Sequence, residues 1–172
     1  ALTLIAARER GVDYSVVDFD DRFWIRSNRN GAVDFALVSA PHGASAEENW
    51  RVEIAHRPGV LLLDVEPFAD FIVRMERENG LPRIVVRERG TGAEHAIEFA
   101  EQAYALGMSN GYLWDSPWLR FEYSSPSTPA QVFDYNMRTR ERVLRKTQTV
   151  PSGHAPSDYI VERIDAPASD GA

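Results

Sequence analysis

Apolar and polar residues alternate with a period of two along most of the chain, in short runs separated by turn-forming clusters. In one such run Leu119, Phe121 and Tyr123 share one face of an extended segment. Arg120 and Glu122 share the opposite face. This alternation is typical of a half-buried antiparallel strand, so we predict that the chain is built from short strands.

The runs form a repeat. Runs of similar composition begin at Phe23, Phe71 and Leu119, with a step of 48 residues each time. Each leads through a turn cluster into a second apolar-rich run, and one further run precedes and one follows each pair. The strands predicted in this way cover residues 14–19, 23–28, 33–38, 51–55, 60–65, 71–76, 83–89, 94–99, 103–109, 119–124, 131–137 and 142–147. A helical turn is predicted only at 45–50, and residues 2–8 are predicted to be the last strand of an earlier unit.

Four antiparallel strands in each repeat of about 40 to 50 residues are the signature of a β-propeller blade. We therefore predict an all-β fold, an incomplete β-propeller with a partial blade at 1–10 and blades at about 11–56, 57–100 and 101–148. Because a closed ring needs about four to eight blades, these blades are expected to belong to a larger ring. Their open faces favour self-association. The alternative is a β-sandwich of about twelve strands with an accidental spacing.

The end of the chain breaks the repeat. Residues 149–158 are rich in Pro, Gly and Ser and are predicted to be an interdomain linker. Residues 159–164 form a short strand-like run, and 159–172 are predicted to begin a further domain.

Several stretches carry a resemblance to a known family. They are MERENGLPRI at 75–84, LRFEYSS at 119–125 followed by Thr128-Pro129, VFDYNM at 132–137, and PSDYIVER at 156–163. On these residues the chain resembles the oligopeptidase B branch of the prolyl oligopeptidase family of serine peptidases, over nearly its whole length. Two departures are visible: Arg140 stands in a turn where the family usually has glycine, and His154 stands where an aromatic residue is common.

The resemblance implies a parent protein with a seven-bladed N-terminal propeller above the active site of a C-terminal α/β-hydrolase domain. It implies hydrolysis of short peptides after Arg or Lys by a Ser-Asp-His triad that lies in the hydrolase domain, outside this chain. The propeller would then exclude folded proteins by size. The expected partners are the hydrolase domain, the remaining blades and oligopeptide substrates.

Composition narrows the classes of partner. Nineteen basic and 26 acidic residues give a net charge of −7, whereas nucleic-acid-binding proteins usually carry a basic surplus. No apolar run approaches the ~20 residues of a membrane helix, so no membrane partner is expected. The absence of cysteine suits a reducing compartment, and we expect a cytoplasmic protein without disulfides.

One motif imitates a catalytic site. Residues 107–111, Gly-Met-Ser-Asn-Gly, match the G-x-S-x-G pattern of a hydrolase nucleophile, and Asp134 and His154 follow in the order of a triad. A nucleophile elbow requires a strand that turns sharply into a helix. Pro117 and the next strand follow instead, so Ser109 is predicted to lie in a loop between strands. A small esterase built on Ser109 is the alternative.

The remaining candidates are weaker. Gly90-Thr91-Gly92 lacks the third glycine and the helix of a dinucleotide fingerprint, so it predicts a hairpin turn. The four histidines, which are His42, His56, His95 and His154, show no metal-binding spacing. We therefore expect no catalytic, cofactor-binding or metal-binding residue in this chain. A propeller-like interaction scaffold without catalysis is the second functional hypothesis.

Overall fold

Strands of the chain form three four-stranded antiparallel sheets in the computed structural model, which describes residues 4–109, 113–164 and 166. The first sheet contains β1 (Tyr14–Phe19), β2 (Arg22–Ser27), β3 (Ala36–Pro41) and β4 (Arg51–Ile54). The second contains β5 (Val60–Pro67), β6 (Phe71–Glu78), β7 (Leu81–Glu88) and β8 (Glu94–Ala96). The third contains β9 (Ala105–Met108), β10 (Trp118–Ser124), β11 (Gln131–Asn136) and β12 (Arg142–Thr147). Within each sheet the strands pair in chain order, as in propeller blades.

The predicted repeat is confirmed. Phe23, Phe71 and Leu119 all lie on the second strand of their sheets. The chain divides into two compact units, Ala1–His95 and Ala96–Ala172. The first unit holds the first two sheets apart from the last residue of β8, and the second unit holds the third sheet.

The core of the first unit is formed where the first and second sheets face each other. Phe19 packs edge-on against Trp24, with ring centroids 4.3 Å apart. The buried cluster around this pair consists of Phe19, Trp24, Leu37, Leu62, Val65 and Ile72. These residues come from inner and central strands of both sheets, so their burial joins the two blades.

The core of the second unit lies on one face of the third sheet. Leu119 and Phe121 are fully buried, whereas Arg120 and Glu122 between and after them are exposed. Phe121 stacks on Phe133 with ring centroids 5.3 Å apart. The alternation predicted for this strand is confirmed.

The hairpin between β6 and β7 shows why the sequence turns where it does. Glu78 pairs with Leu81, which leaves a two-residue loop. Both loop residues have positive φ, 51° at Asn79 and 78° at Gly80. An Asn-Gly pair supplies this left-handed geometry at low cost, and the resulting turn matches the twist of the flanking strands.

The strand predicted at 33–38 is wrong in its bounds, because β3 begins only at Ala36. The preceding turn is longer than expected. Val33 is 71% exposed, and Phe35 has a left-handed φ of 64° with its N–H bonded to the Ala32 carbonyl. Phe35 lies instead beneath the Arg26 guanidinium, 4.0 Å from the ring centroid to the guanidinium carbon. Apolar residues in a turn give the same sequence pattern as apolar residues in a strand, so the pattern predicted a strand that begins too early.

Other predicted elements are shorter or absent. The strand predicted at 94–99 ends at Ala96, and the one at 103–109 covers only Ala105–Met108. Residues 4–8 and 159–164 form no strand, because no neighbouring strand among the described residues pairs with them. The helical turn predicted at 45–50 is a short 3₁₀ turn at Glu47–Asn49.

Arg140 adopts the left-handed backbone that its turn demands, with φ of 65°. Its N–H donates to the Asn136 carbonyl over 2.7 Å, so the turn holds this conformation. In this left-handed region a residue with a Cβ is less favourable than glycine by about 1 kcal/mol. Glycine offsets part of that advantage, because it gives the unfolded chain more conformational entropy.

We therefore expect Arg140→Gly to raise the free energy of unfolding by about 0.5–1 kcal/mol. Arg140→Ala retains the Cβ and is the matched control, expected to leave stability unchanged. Native-state amide exchange of β11 and β12 measures both. Equal stabilisation by the two variants would assign the effect to the guanidinium charge rather than to the backbone.

Candidate functional site

A network of side-chain hydrogen bonds lies where the chain leaves β12. Because the strands are antiparallel, β9 and β11 begin, and β10 and β12 end, at one edge of the third sheet. The loops at 97–104 and 125–130 therefore meet residues 148–164, which we call the exit segment. It contains a single 3₁₀ turn, Pro156–Asp158, and most of its side chains are exposed.

Glu101 organises this edge by gathering the hydroxyl groups of the adjacent turn. Its Oε1 accepts a hydrogen bond from Ser125 Oγ over 2.8 Å and another from Ser127 Oγ. Thr128 Oγ1 lies 3.2 Å from Oε2, which also accepts a hydrogen bond from the Tyr123 hydroxyl. One carboxylate thus fixes four hydroxyl groups from β10 and from the turn that follows it.

The cluster favours the ionised form of Glu101 and the neutral form of Tyr123. Burial raises the pKa of Glu101, but hydrogen bonds from Ser127, Tyr123, Ser125 and Thr128 outweigh burial and hold this pKa below its usual value. Burial, followed by the hydrogen bond and charge of Glu101, raises the pKa of Tyr123. Glu101 is therefore ionised near neutral pH.

The Gln148 N–H donates to the Ala130 carbonyl over 2.7 Å where the exit segment begins, and two further contacts attach the segment beyond that point. His154 Nε2 lies 2.6 Å from the Ser127 carbonyl oxygen, and the imidazole therefore donates to it. The imidazole also stacks on Tyr159, with ring centroids 5.1 Å apart. Farther along, the Arg163 N–H donates to Gln102 Oε1 over 3.1 Å. His154 thus has an aromatic partner in the position where the sequence departs from the family pattern.

The exit segment leaves open space beside the sheet. A cavity of about 420 Å³ lies between the end of β12 and the segment, and it is lined by residues that include Gln131, Thr147, Val150, His154 and Pro156. The segment is therefore attached at points rather than packed along its length.

Ser109 lies directly after β9 and is exposed. Its N–H donates to the Arg120 carbonyl over 3.0 Å, which continues the pairing of β9 with β10. Residues 110–112 of the G-x-S-x-G motif lie outside the described residues. Residues 113–117 form a turn without a helix before β10 begins at Trp118.

The two residues that could complete a triad are engaged elsewhere. Asp134 accepts hydrogen bonds from Arg120 Nε and Arg145 Nε, each over 2.7 Å. Hydrogen bonding to Arg120, opposed by burial and aided by Arg145, holds the pKa of Asp134 below its usual value. His154 is bonded to the Ser127 carbonyl. These contacts favour the interpretation that Ser109 is not a nucleophile, which stays a prediction.

The other sequence candidates have structural roles. Gly90-Thr91-Gly92 forms the predicted hairpin turn between β7 and β8, with the Gly92 N–H bonded to the Glu88 carbonyl over 2.8 Å. Within residues 4–109, 113–164 and 166, no group of three or more His, Cys, Asp or Glu side chains is arranged to hold a metal ion. In the same residues, no helix has the length and apolarity to cross a membrane.

Comparison with known proteins decides the family. Residues 1–148 match the model of the prolyl oligopeptidase N-terminal β-propeller domain. The chain belongs to this family. The family match covers all three blades and stops where the exit segment begins.

Individual members of the prolyl oligopeptidase family agree with this assignment. The chain is 38% identical to dipeptidyl aminopeptidase BI of Pseudoxanthomonas mexicana, over 98% of this chain and 23% of that protein. Oligopeptidase B of Leishmania major superposes with a TM-score of 0.85 at 27% identity, covering 98% of this chain and 25% of that one. Oligopeptidase B of Trypanosoma brucei, in a closed form with covalently bound antipain, gives 0.86 at 28%, again over 98% and 25%. The chain thus spans about a quarter of the length of the relatives it matches.

Sequence reasoning missed the Glu101 cluster. Its only signal is a run of hydroxyl residues, Ser124 to Thr128, opposite a carboxylate more than twenty positions earlier. The period of the apolar pattern and the spacing of the runs cannot predict that these residues are in contact. The antiparallel pairing of β9 with β10, in which Ala105 lies opposite Ser124, is what brings them together.

Proposed function

We propose that this chain is the propeller part of a serine peptidase that hydrolyses short peptides after Arg or Lys, and that the propeller limits the size of the substrate. The family match over residues 1–148 carries the proposal, supported by the likeness to two oligopeptidase B structures. Because the chain spans about a quarter of these relatives, we place the catalytic triad in a C-terminal α/β-hydrolase domain beyond residue 172. The other blades and that domain would be its partners in the same protein.

The exit segment is proposed to be the linker, at 149–158, followed by the first residues of the hydrolase domain. An exposed segment held at a few points opens at low cost in free energy, as a hinge requires. Opening would admit oligopeptides, and closure would exclude water and folded proteins. The closed form described for the Trypanosoma brucei enzyme supports a cycle of this kind.

Net charge supports a preference for cationic peptides. The excess of seven negative charges attracts Arg- and Lys-containing peptides at low ionic strength, and salt screens this attraction. We further propose a cytoplasmic location, because the chain holds no cysteine.

Removal of dipeptides from a free N-terminus is the second candidate. The 38% identity to dipeptidyl aminopeptidase BI favours it. The two activities differ in whether a blocked N-terminus is tolerated, since a dipeptidyl aminopeptidase releases two residues from an unblocked end.

The test is to assay the full-length protein on matched chromogenic peptides with Arg or Ala before the scissile bond, each with a free or a blocked N-terminus. We expect turnover of the blocked Arg peptide and none of the blocked Ala peptide, with full-length folded proteins left uncut. Turnover restricted to the peptides with a free N-terminus would instead support the second candidate. No turnover of any peptide would contradict both and favour an interaction scaffold.

A further inference from the structure

The exit segment and the Glu101 cluster are linked through a single peptide carbonyl. The Ser127 carbonyl, which accepts the hydrogen bond from His154, belongs to the turn whose hydroxyls Glu101 gathers. Within the turn, the N–H groups of Ser127 and Thr128 both donate to Ser125 Oγ, over 3.1 and 2.8 Å. Ser125 Oγ in turn donates to Glu101. The orientation of the Ser127 carbonyl therefore depends on the Glu101 carboxylate.

The second attachment point is next to Glu101 in sequence. Gln102, which accepts the Arg163 N–H, directly follows Glu101. The contact of Arg163 is thus made directly with the loop before β9, and the contact of His154 is connected to the same loop through the hydrogen bond from Ser127 Oγ to Glu101. Ser127 is only 5% exposed, so water competes poorly for the hydroxyl that Glu101 binds.

We propose that Glu101 is a positioning residue that sets how firmly the exit segment is held on the third blade, and thereby how readily the proposed hinge opens. The proposal rests on the proposed function only in that the exit segment acts as a hinge. The attachment itself is a property of the described residues. A carboxylate suits the role because it accepts from several donors at once, which a neutral group of the same shape cannot do.

The test is Glu101→Gln in the full-length protein, with amide exchange followed at Gly153, Asp158 and Arg163. In the unmodified protein the hydroxyl groups donate to both oxygens of Glu101. Glutamine replaces one of these oxygens by an NH₂ group, which is itself a donor, so the turn loses at least one charge-assisted hydrogen bond. We expect exchange in the exit segment to become roughly tenfold faster. Exchange in β10 and β11 should stay within about twofold of the unmodified protein, because their ladders do not involve Glu101.

Two further variants separate positioning from general weakening. Glu98→Gln is the matched control, because Glu98 is exposed on the same loop and, among the described residues, bonds Arg142 through its backbone carbonyl rather than its carboxylate. We expect it to leave exchange unchanged. His154→Phe removes the bond to Ser127 and retains a ring against Tyr159. Combined with Glu101→Gln, it should add little to the single change, because both act on the same contact.

Unchanged exchange in Glu101→Gln, or full additivity with His154→Phe, would overturn the proposal. Faster exchange throughout β10 and β11 would also overturn it, since Glu101 would then support the blade rather than the segment. Peptidase assays form a separate arm. If the hinge function is right, the rate on a long peptide relative to a short one should rise severalfold in Glu101→Gln. Faster exchange with an unchanged ratio would support the attachment and contradict gating.

Discussion

Arg74→Met is expected to lower the free energy of opening of the second blade by about 3–5 kcal/mol, among the largest effects available in this chain. Arg74 lies on β6 with only 3% of its side chain exposed, and it donates to Glu76 over 2.9 Å and to both oxygens of Glu94 over 2.7 and 2.9 Å. Glu76 is fully buried. Methionine fills similar space, but the Glu76 carboxylate then loses the Arg74 guanidinium and keeps those of Arg57 and Arg83.

Native-state amide exchange of β6 and β7 in a urea series measures this loss. Arg87→Met is the matched control, because Arg87 is on the neighbouring strand, 37% exposed, and 3.9 Å from Glu94. It should cost no more than about 1 kcal/mol. A second change, Glu76→Leu, should recover part of the loss in Arg74→Met by removing a buried carboxylate that has lost one of its cationic partners. Equal losses from Arg74→Met and Arg87→Met would contradict this account of the network.

Phe121→Ala is expected to destabilise the third blade by about 3–5 kcal/mol. Phe121 is fully buried, stacks on Phe133, and meets the ring edge of Phe99 with centroids 5.8 Å apart. Removing the ring leaves a cavity that rigid aromatic neighbours cannot fill.

The measurement for Phe121→Ala is amide exchange of β10 and β11 under the same conditions. Leu144→Ala is the control on the same sheet, because Leu144 is 49% exposed and pairs with Phe133. It should cost about 1 kcal/mol or less. A similar cost for both would mean that the core of this blade is not centred on Phe121.

Periodicity predicted the blades because side-chain alternation and the 48-residue repeat are local properties of the chain. Phe23, Phe71 and Leu119 could be aligned before any contact was known, and all three lie on second strands. The bounds failed where a turn carries apolar side chains, as at Val33, or where an apolar run has no strand beside it in the described part of the chain, as at 159–164.

The pattern of apolar and polar residues could not predict that charged residues on central strands are buried. Arg74 and Glu76 alternate with apolar residues and so resemble the solvent face of a strand, yet both are buried. What makes their burial possible is Glu94, which lies on β8, and Arg57, which precedes β5. Such partners are set by sheet topology rather than by spacing, and the same holds for Glu101 and its hydroxyl donors.

The most direct test of the account asks which serine reacts. The full-length protein would be treated with a fluorophosphonate, which modifies activated serine nucleophiles, then digested, and the labelled peptide would be sequenced by mass spectrometry. We expect a single labelled serine beyond residue 172, with Ser109→Ala labelled and active to the same extent as the unmodified protein. Labelling of Ser109, with activity lost in Ser109→Ala, would contradict the account.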